Sequence, residues 1–169
     1  MQPRYSACMP FTKSGLIELH ARTHDCLDAV LNHAAQLPPP LLTQEIAGFG
    51  RPTLREQLAH VLTTELAWVR CLRLLPIERV DPATLASIED VRQTQKRVAS
   101  ATLAYLDSID ENELNHPLES YTDQWLGPPR SPAFTILHVI THAFHHKGQI
   151  VAMLRLLGYP APDTDMQRG

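Results

Sequence analysis

Nowhere in its 169 residues does this chain carry an apolar run long enough to cross a bilayer. A hydrophobic fraction of 44% and a charged fraction of 20% describe an ordinary water-facing domain instead. The start, Met1-Gln-Pro-Arg-Tyr5, lacks the apolar stretch and small-residue cleavage site of a secretion signal, so a cytoplasmic setting is the expectation. Basic clusters are also missing. Net charge is -3 with histidines neutral, and pairs such as Lys96-Arg97 stand scattered, which argues against a nucleic-acid partner. The three cysteines, Cys8, Cys26 and Cys71, are odd in number and form no C-x-x-C, so reduced, mostly buried thiols are expected. Missing too are H-E-x-x-H, G-x-S-x-G, G-x-G-x-x-G and the P-loop. A di-iron bundle wants Glu-x-x-His on two facing helices; the chain has it only at Glu113–His116, directly before Pro117.

What is present is helical patterning over a single domain, residues 1–169, without internal repeats or a linker. Residues 1–10 have no periodicity and read as a mobile arm. A first helix capped by Thr12 or Ser14 runs to about Gln36, with Leu16, Leu19, Thr23, Leu27, Val30, Leu31 and Ala34 on one stripe, and Pro38-Pro39-Pro40 stops it. Thr53-Leu-Arg-Glu56 is a capping box for a second helix reaching about Leu75. Its buried stripe contains Glu65 near the middle, with His60 toward one side. Asp81-Pro82 is read as the start of a third helix ending near Asp110, with Ile88, Val91, Gln95, Val98, Thr102, Tyr105, Leu106 and Ile109 inward. Residues 111–130, with Tyr121 and Trp125, form a connection too long for a plain helical turn: a functional loop over a pocket, or a short hairpin. Ser131-Pro132 opens the last helix and Gly158 closes it.

That last helix concentrates four of the nine histidines. On a helical wheel with Ile136, Val139, Ala143, Ile150, Met153, Leu154 and Leu157 inward, His146 falls within the apolar arc, His142 at its margin, and His138 and His145 outside. A buried imidazole is costly without a partner for each nitrogen, and two at i, i+4 can share one ligand. On spacing alone, metal ligation and ordinary packing are equal readings. His20 and His24 have the same spacing and are a rival metal pair, but they drift off their stripe toward its edge, and solvent-edge residues are the favoured reading. Neutral imidazoles suit zinc, while residue identity leaves nickel, cobalt, manganese and iron open.

The run His138-Val-Ile-Thr-His142-Ala-Phe-His145-His146-Lys-Gly-Gln-Ile150, continued by Met153-Leu-Arg155 and Leu157-Gly158, resembles the C-terminal signature of the DinB-like (DinB/YfiT) metal-dependent proteins. Leu58-Ala-His60-Val-Leu-Thr-Thr-Glu65-Leu-Ala-Trp68 is similar to that family's second-helix segment, and Pro160-Ala-Pro-Asp163 to its usual ending. The resemblance implies an all-α, four-helix bundle of up-down-down-up connectivity, often a homodimer, with a divalent metal, zinc or nickel foremost, held by three histidines. Carried onto this chain, the ligands are His60, His142 and His146. Lys147 stands where the family more often has arginine.

Such a site implies a Lewis-acid centre with an open face, able to activate a water or thiol and polarise a substrate oxygen. Glu65, just over one turn beyond His60, is the candidate catalytic proton carrier; an ion pair or hydrogen bond with a neighbour is the alternative, and the favoured one. The expected function is a metal-dependent enzyme acting on a small molecule, by thiol transfer or isomerisation with a low-molecular-weight thiol, or by hydrolysis. The competing reading is a dimeric, non-catalytic metal-binding or stress-response module, closed by a fourth protein ligand such as His138. Ile140, Phe144 and Val151, toward a second apolar side of the last helix, motivate the dimer.

Overall fold

The computed structural model describes residues 11–118 and 130–168. The expected mobile arm, Cys8, Tyr121 and Trp125 lie outside the described residues. Four long helices dominate: α1 (Lys13–Ala34), α2 (Leu54–Leu72), α3 (Ile88–Ser108) and α5 (Pro132–Leu156), with a short α4 (Glu111–Asn115) between the last two. The described residues contain no strand beyond one antiparallel bridge, Leu118 to Arg130, which brings the ends of the long connection together.

Each start follows from a side chain that satisfies otherwise unpaired backbone N–H groups. Thr12 accepts from the Gly15 N–H, and Thr53 and Glu56 form the complete capping box. Ser131 accepts from the Phe134 N–H, with Pro132 in the first turn. The α3 start differs from the sequence expectation. Asp81-Pro82 caps only a 3-10 turn, Pro82–Thr84, and α3 begins after Ser87, whose hydroxyl and the Asp90 carboxylate make a second capping box. Fully buried Leu85 lies between the two and pins the chain there.

Two helices end in the same hydrogen-bond pattern. After α5, Gly158 takes φ +87°, its N–H donates to the Arg155 carbonyl and the Tyr159 N–H to Leu154, closing a Schellman motif. After α2, the corresponding left-handed position is held by Leu74, at φ 55°. A leucine there costs roughly 1–2 kcal/mol because its Cβ crowds the next carbonyl.

Side-chain contacts fix the connectivity. Rising along α1 from His24 to Asn32 means descending α3 from Gln95 to Arg92, so those two are antiparallel. Trp68, Thr64 and Gln57 of α2 meet His138, His142 and His146 of α5, again antiparallel. Leu16 shares a cluster with Ile136, and Leu27 with Ile150, so α1 and α5 run parallel; Leu58 with Val91 and Leu72 with Leu106 make α2 and α3 parallel too. The result is an up-down-down-up bundle.

The core divides into two apolar clusters stacked along the bundle axis. Polar residues fall where one gives way to the other: His20 and His24 between Leu16 and Leu27, Thr102 between Val98 and Tyr105, His142 between Ile140 and Ala143. The apolar side that motivated a dimer is largely internal. Ile140 is buried, and Phe144 and Val151 are partly buried against the two clusters. Cys26 and Cys71 are free and buried, and burial pushes both thiols above their ordinary pKa, away from nucleophilic form.

Candidate metal centre

His60 leaves α2 toward α5 and meets His142 and His146, one turn apart on α5. Each of the three offers a ring nitrogen within 4.8 Å of the others. The Nε2 atoms of His60 and His142 are 3.1 Å apart, and ring centroids lie 4.4 to 4.8 Å from one another. His146 is buried while His60 and His142 are partly open.

Electrostatics prepare all three as neutral donors. Burial and the nearby Arg51 guanidinium lower His60 to about 4. Burial and the surrounding imidazoles, His146 and His60 first, lower His142 to about 3. Burial and His145 lower His146 as well. Neutral imidazole is the form that binds a metal.

One neighbour that sequence reasoning passed over selects the binding atom. Gln57 is fully buried, and its Nε2 donates to the Arg51 carbonyl at 3.1 Å. Its Oε1 is therefore left to accept from His146 Nδ1–H at 2.8 Å, which frees Nε2 of that ring as a ligand. The signal was available: an amide on the buried face of α2, one turn before His60.

Lys147 folds back. Its ammonium lies 4.4 Å from the Phe144 ring centroid and donates to the Thr164 carbonyl, tying the C-terminal segment to α5. His138 is exposed and packs edge-on to Trp68, and His145 is exposed beside Gln149; neither joins the group.

Glu65 does not join it either. Its carboxylate turns away from His60, as five residues of helix rotate a side chain by about 140°. It accepts from His20 Nε2 at 2.7 Å, Thr102 Oγ1 at 2.6 Å and His24 Nε2 at 3.2 Å. Burial alone pushes this carboxyl up, but the hydrogen bonds from His20 and His24 outweigh it and hold it well below the carboxylate range. The proton-carrier expectation thus gives way to the hydrogen-bonded alternative. His20 corrects a second expectation. It is 2% exposed, not at the solvent edge, because α1 packs against both α3 and α5 and its buried arc is wider than one stripe.

Beside His60 opens a cleft of about 320 Å³, lined by Arg51, Glu56, Thr63, Arg79 and Val80 among others. Its described walls come from α2 and the segments flanking it, and residues 119–129 lie outside the described part.

Comparison of the whole chain with known proteins identifies its relatives. The DinB family model matches residues 14–169. The chain belongs to the DinB family. A curated relative, "Protein DinB" of Bacillus subtilis (strain 168), is 28% identical over 145 residues, covering 80% of this chain and 82% of its own. The crystal structure of a DinB family member from Shewanella denitrificans superposes with a TM-score of 0.55 at 20% identity, over 92% of this chain and 88% of that one, and so shares the fold. The donor set fits a divalent ion: three neutral imidazoles, one with its second nitrogen already engaged, all within 4.8 Å, and the His60 and His142 Nε2 atoms, 3.1 Å apart, near the edge of a tetrahedron with bonds of about 2.0–2.1 Å. No helix in the described residues is long and apolar enough to cross a membrane.

Proposed function

We propose that this DinB family protein is a metal-dependent enzyme acting on a small anionic molecule at the His60–His142–His146 centre, by thiol transfer or isomerisation with a low-molecular-weight thiol, or by hydrolysis. The observation that carries it is the junction of the triad with the cleft: His60 lines both, and Arg51 and Arg79 line the same walls. A divalent ion there, zinc or nickel foremost, supplies Lewis acidity toward a thiol or carbonyl group. The residues do the rest. His60, His142 and His146 present neutral nitrogens, Gln57 holds His146 in one tautomer, and the two guanidiniums draw in and orient a carboxylate or other anion. With His138 outside the group, three protein ligands leave a coordination position for a substrate.

The test is a panel of thiols and electrophiles, with neutral and anionic members, run on metal-loaded protein. Consumption above background, abolished by His142→Ala and showing a raised KM for anionic members in Arg51→Ala and Arg79→Ala, is expected. Background rates with every combination would remove the enzyme reading in favour of a non-catalytic metal-binding module.

A further inference from the structure

The second polar cluster has the form of a site in its own right. His20 and His24 lie one turn apart on α1, Glu65 comes from α2, and the three ligand atoms converge: His20 Nε2 to Glu65 Oε1 2.7 Å, His20 Nε2 to His24 Nε2 3.0 Å, His24 Nε2 to Glu65 Oε1 3.3 Å. A tetrahedral ion with bonds of about 2.0–2.2 Å separates its donors by about 3.3 Å, and an octahedral one by about 2.9 Å. The observed triangle spans those edges, slightly contracted.

Hydrogen bonding alone serves this arrangement poorly. Both Nε2 atoms face one carboxylate, so both must carry protons to bond it. Two N–H groups then point into the same 3.0 Å gap. The carboxylate is buried, and its partners among the described residues are two imidazoles and a hydroxyl, with no Lys or Arg. A cation bound by both lone pairs removes the crowding and supplies the missing charge.

The surroundings orient the donors as a ligand shell does. Thr102 Oγ1 donates to Glu65 at 2.6 Å, and the Gln95 side-chain nitrogen lies 3.3 Å from His24 Nδ1 and 3.5 Å from the His24 carbonyl, which fixes the ring against α3. His24, with 13% of its side chain exposed, is the member that reaches toward solvent and gives an ion a way in.

We propose that His20, His24 and Glu65 form a second divalent-metal site, separate from the histidine triad and composed of two imidazoles and one carboxylate. That donor set takes a first-row transition ion such as zinc, iron(II), manganese(II) or cobalt(II), in preference to calcium or magnesium.

The experiment titrates metal-stripped, tag-free protein with Co2+, reading both bound metal and the visible absorption of the coordinated ion. Wild type is expected to take up about two ions per chain, the His142→Ala/His146→Ala variant about one, and that variant carrying His24→Ala or Glu65→Gln none. Circular dichroism accompanies each measurement. His24→Ala, at the less buried position, reports on the site should Glu65→Gln fail to fold. Uptake of no ion by the His142→Ala/His146→Ala variant, or uptake indifferent to both further substitutions, overturns the proposal. One ion in wild type, lost on removing the triad, leaves the triad standing and eliminates the second site. One ion that survives removal of the triad but not His24→Ala does the reverse.

Discussion

Two histidine clusters share helix α2 and differ in almost everything else. The triad of His60, His142 and His146 is open on one side to a cleft, built of neutral donors that repel protons, and supported by the buried Gln57 amide. The cluster of His20, His24 and Glu65 is buried except at His24, anchored on an ionised carboxylate, and hydrogen-bonded on three helices. Burial is common to both, so burial alone does not mark a reactive centre. Ring nitrogens crowd together in both, and the anion separates them: His20 and His24 face a carboxylate that Thr102 also supports, while the triad is a group of imidazoles alone.

That contrast makes the substitutions asymmetric. In chelator-treated protein, Glu65→Ala should lose about 3–5 kcal/mol in urea unfolding, because two imidazoles and a hydroxyl lose a buried anionic partner. His142→Ala should shift the same midpoint by under about 1 kcal/mol, since a partly exposed imidazole leaves no unpaired charge. Equal losses would erase the distinction. Metal uptake at the triad should invert the order: His142→Ala or His146→Ala removes one roughly stoichiometric ion, while Gln57→Ala weakens affinity by about 10–100-fold by releasing the His146 tautomer.

Acid should act on the clusters in sequence. His60 and His142 have folded pKa values near 4 and 3, below the ordinary 6.5, so the unfolded chain binds more protons over that interval. Stability of the metal-free protein is therefore complete above about pH 6.5 and falls as pH drops from there toward 4 and then 3. Glu65 is also depressed, but from 4.5, so its contribution is complete above that value and fades only at lower pH. Urea midpoints at half-unit pH steps should show a decline beginning near 6.5 that is shallower in His142→Ala. A decline confined below 4.5 would mean the triad carries no such penalty. The smallest effect belongs to a position in neither cluster: Leu74→Gly should raise stability by about 1 kcal/mol in thermal unfolding without changing metal content.

Much of this architecture is legible in the sequence alone. A cap at Thr12 or Ser14, caps at Thr53 and Ser131, the α3 stripe, and His146 within the apolar arc with His142 at its margin all follow local rules of period and capping, which a single sequence records directly. Membership of His60 came from resemblance, since its place on the wheel was off-centre. His20 and Gln57 were missed because their burial depends on which two helices flank their own, a property of the assembled bundle. The start of α3 falls six residues beyond the expected Asp81 because the Asp81-Pro82 signal caps only a 3-10 turn, while Ser87 and Asp90 supply the complete capping box.

The capping box at the start of α2 acquires a wider meaning once both clusters are in view. Gln57, His60 and Glu65 are indexed from that one starting point, at successive angles around a single rod. Deleting one residue between Gln57 and His60 would turn every later side chain by about 100° relative to the cap. His60 would leave α5 and Glu65 would leave α1 together. Thr53 and Glu56 bear no chemistry of their own, yet they set the phase of both centres, as a keyway sets two cams on one shaft.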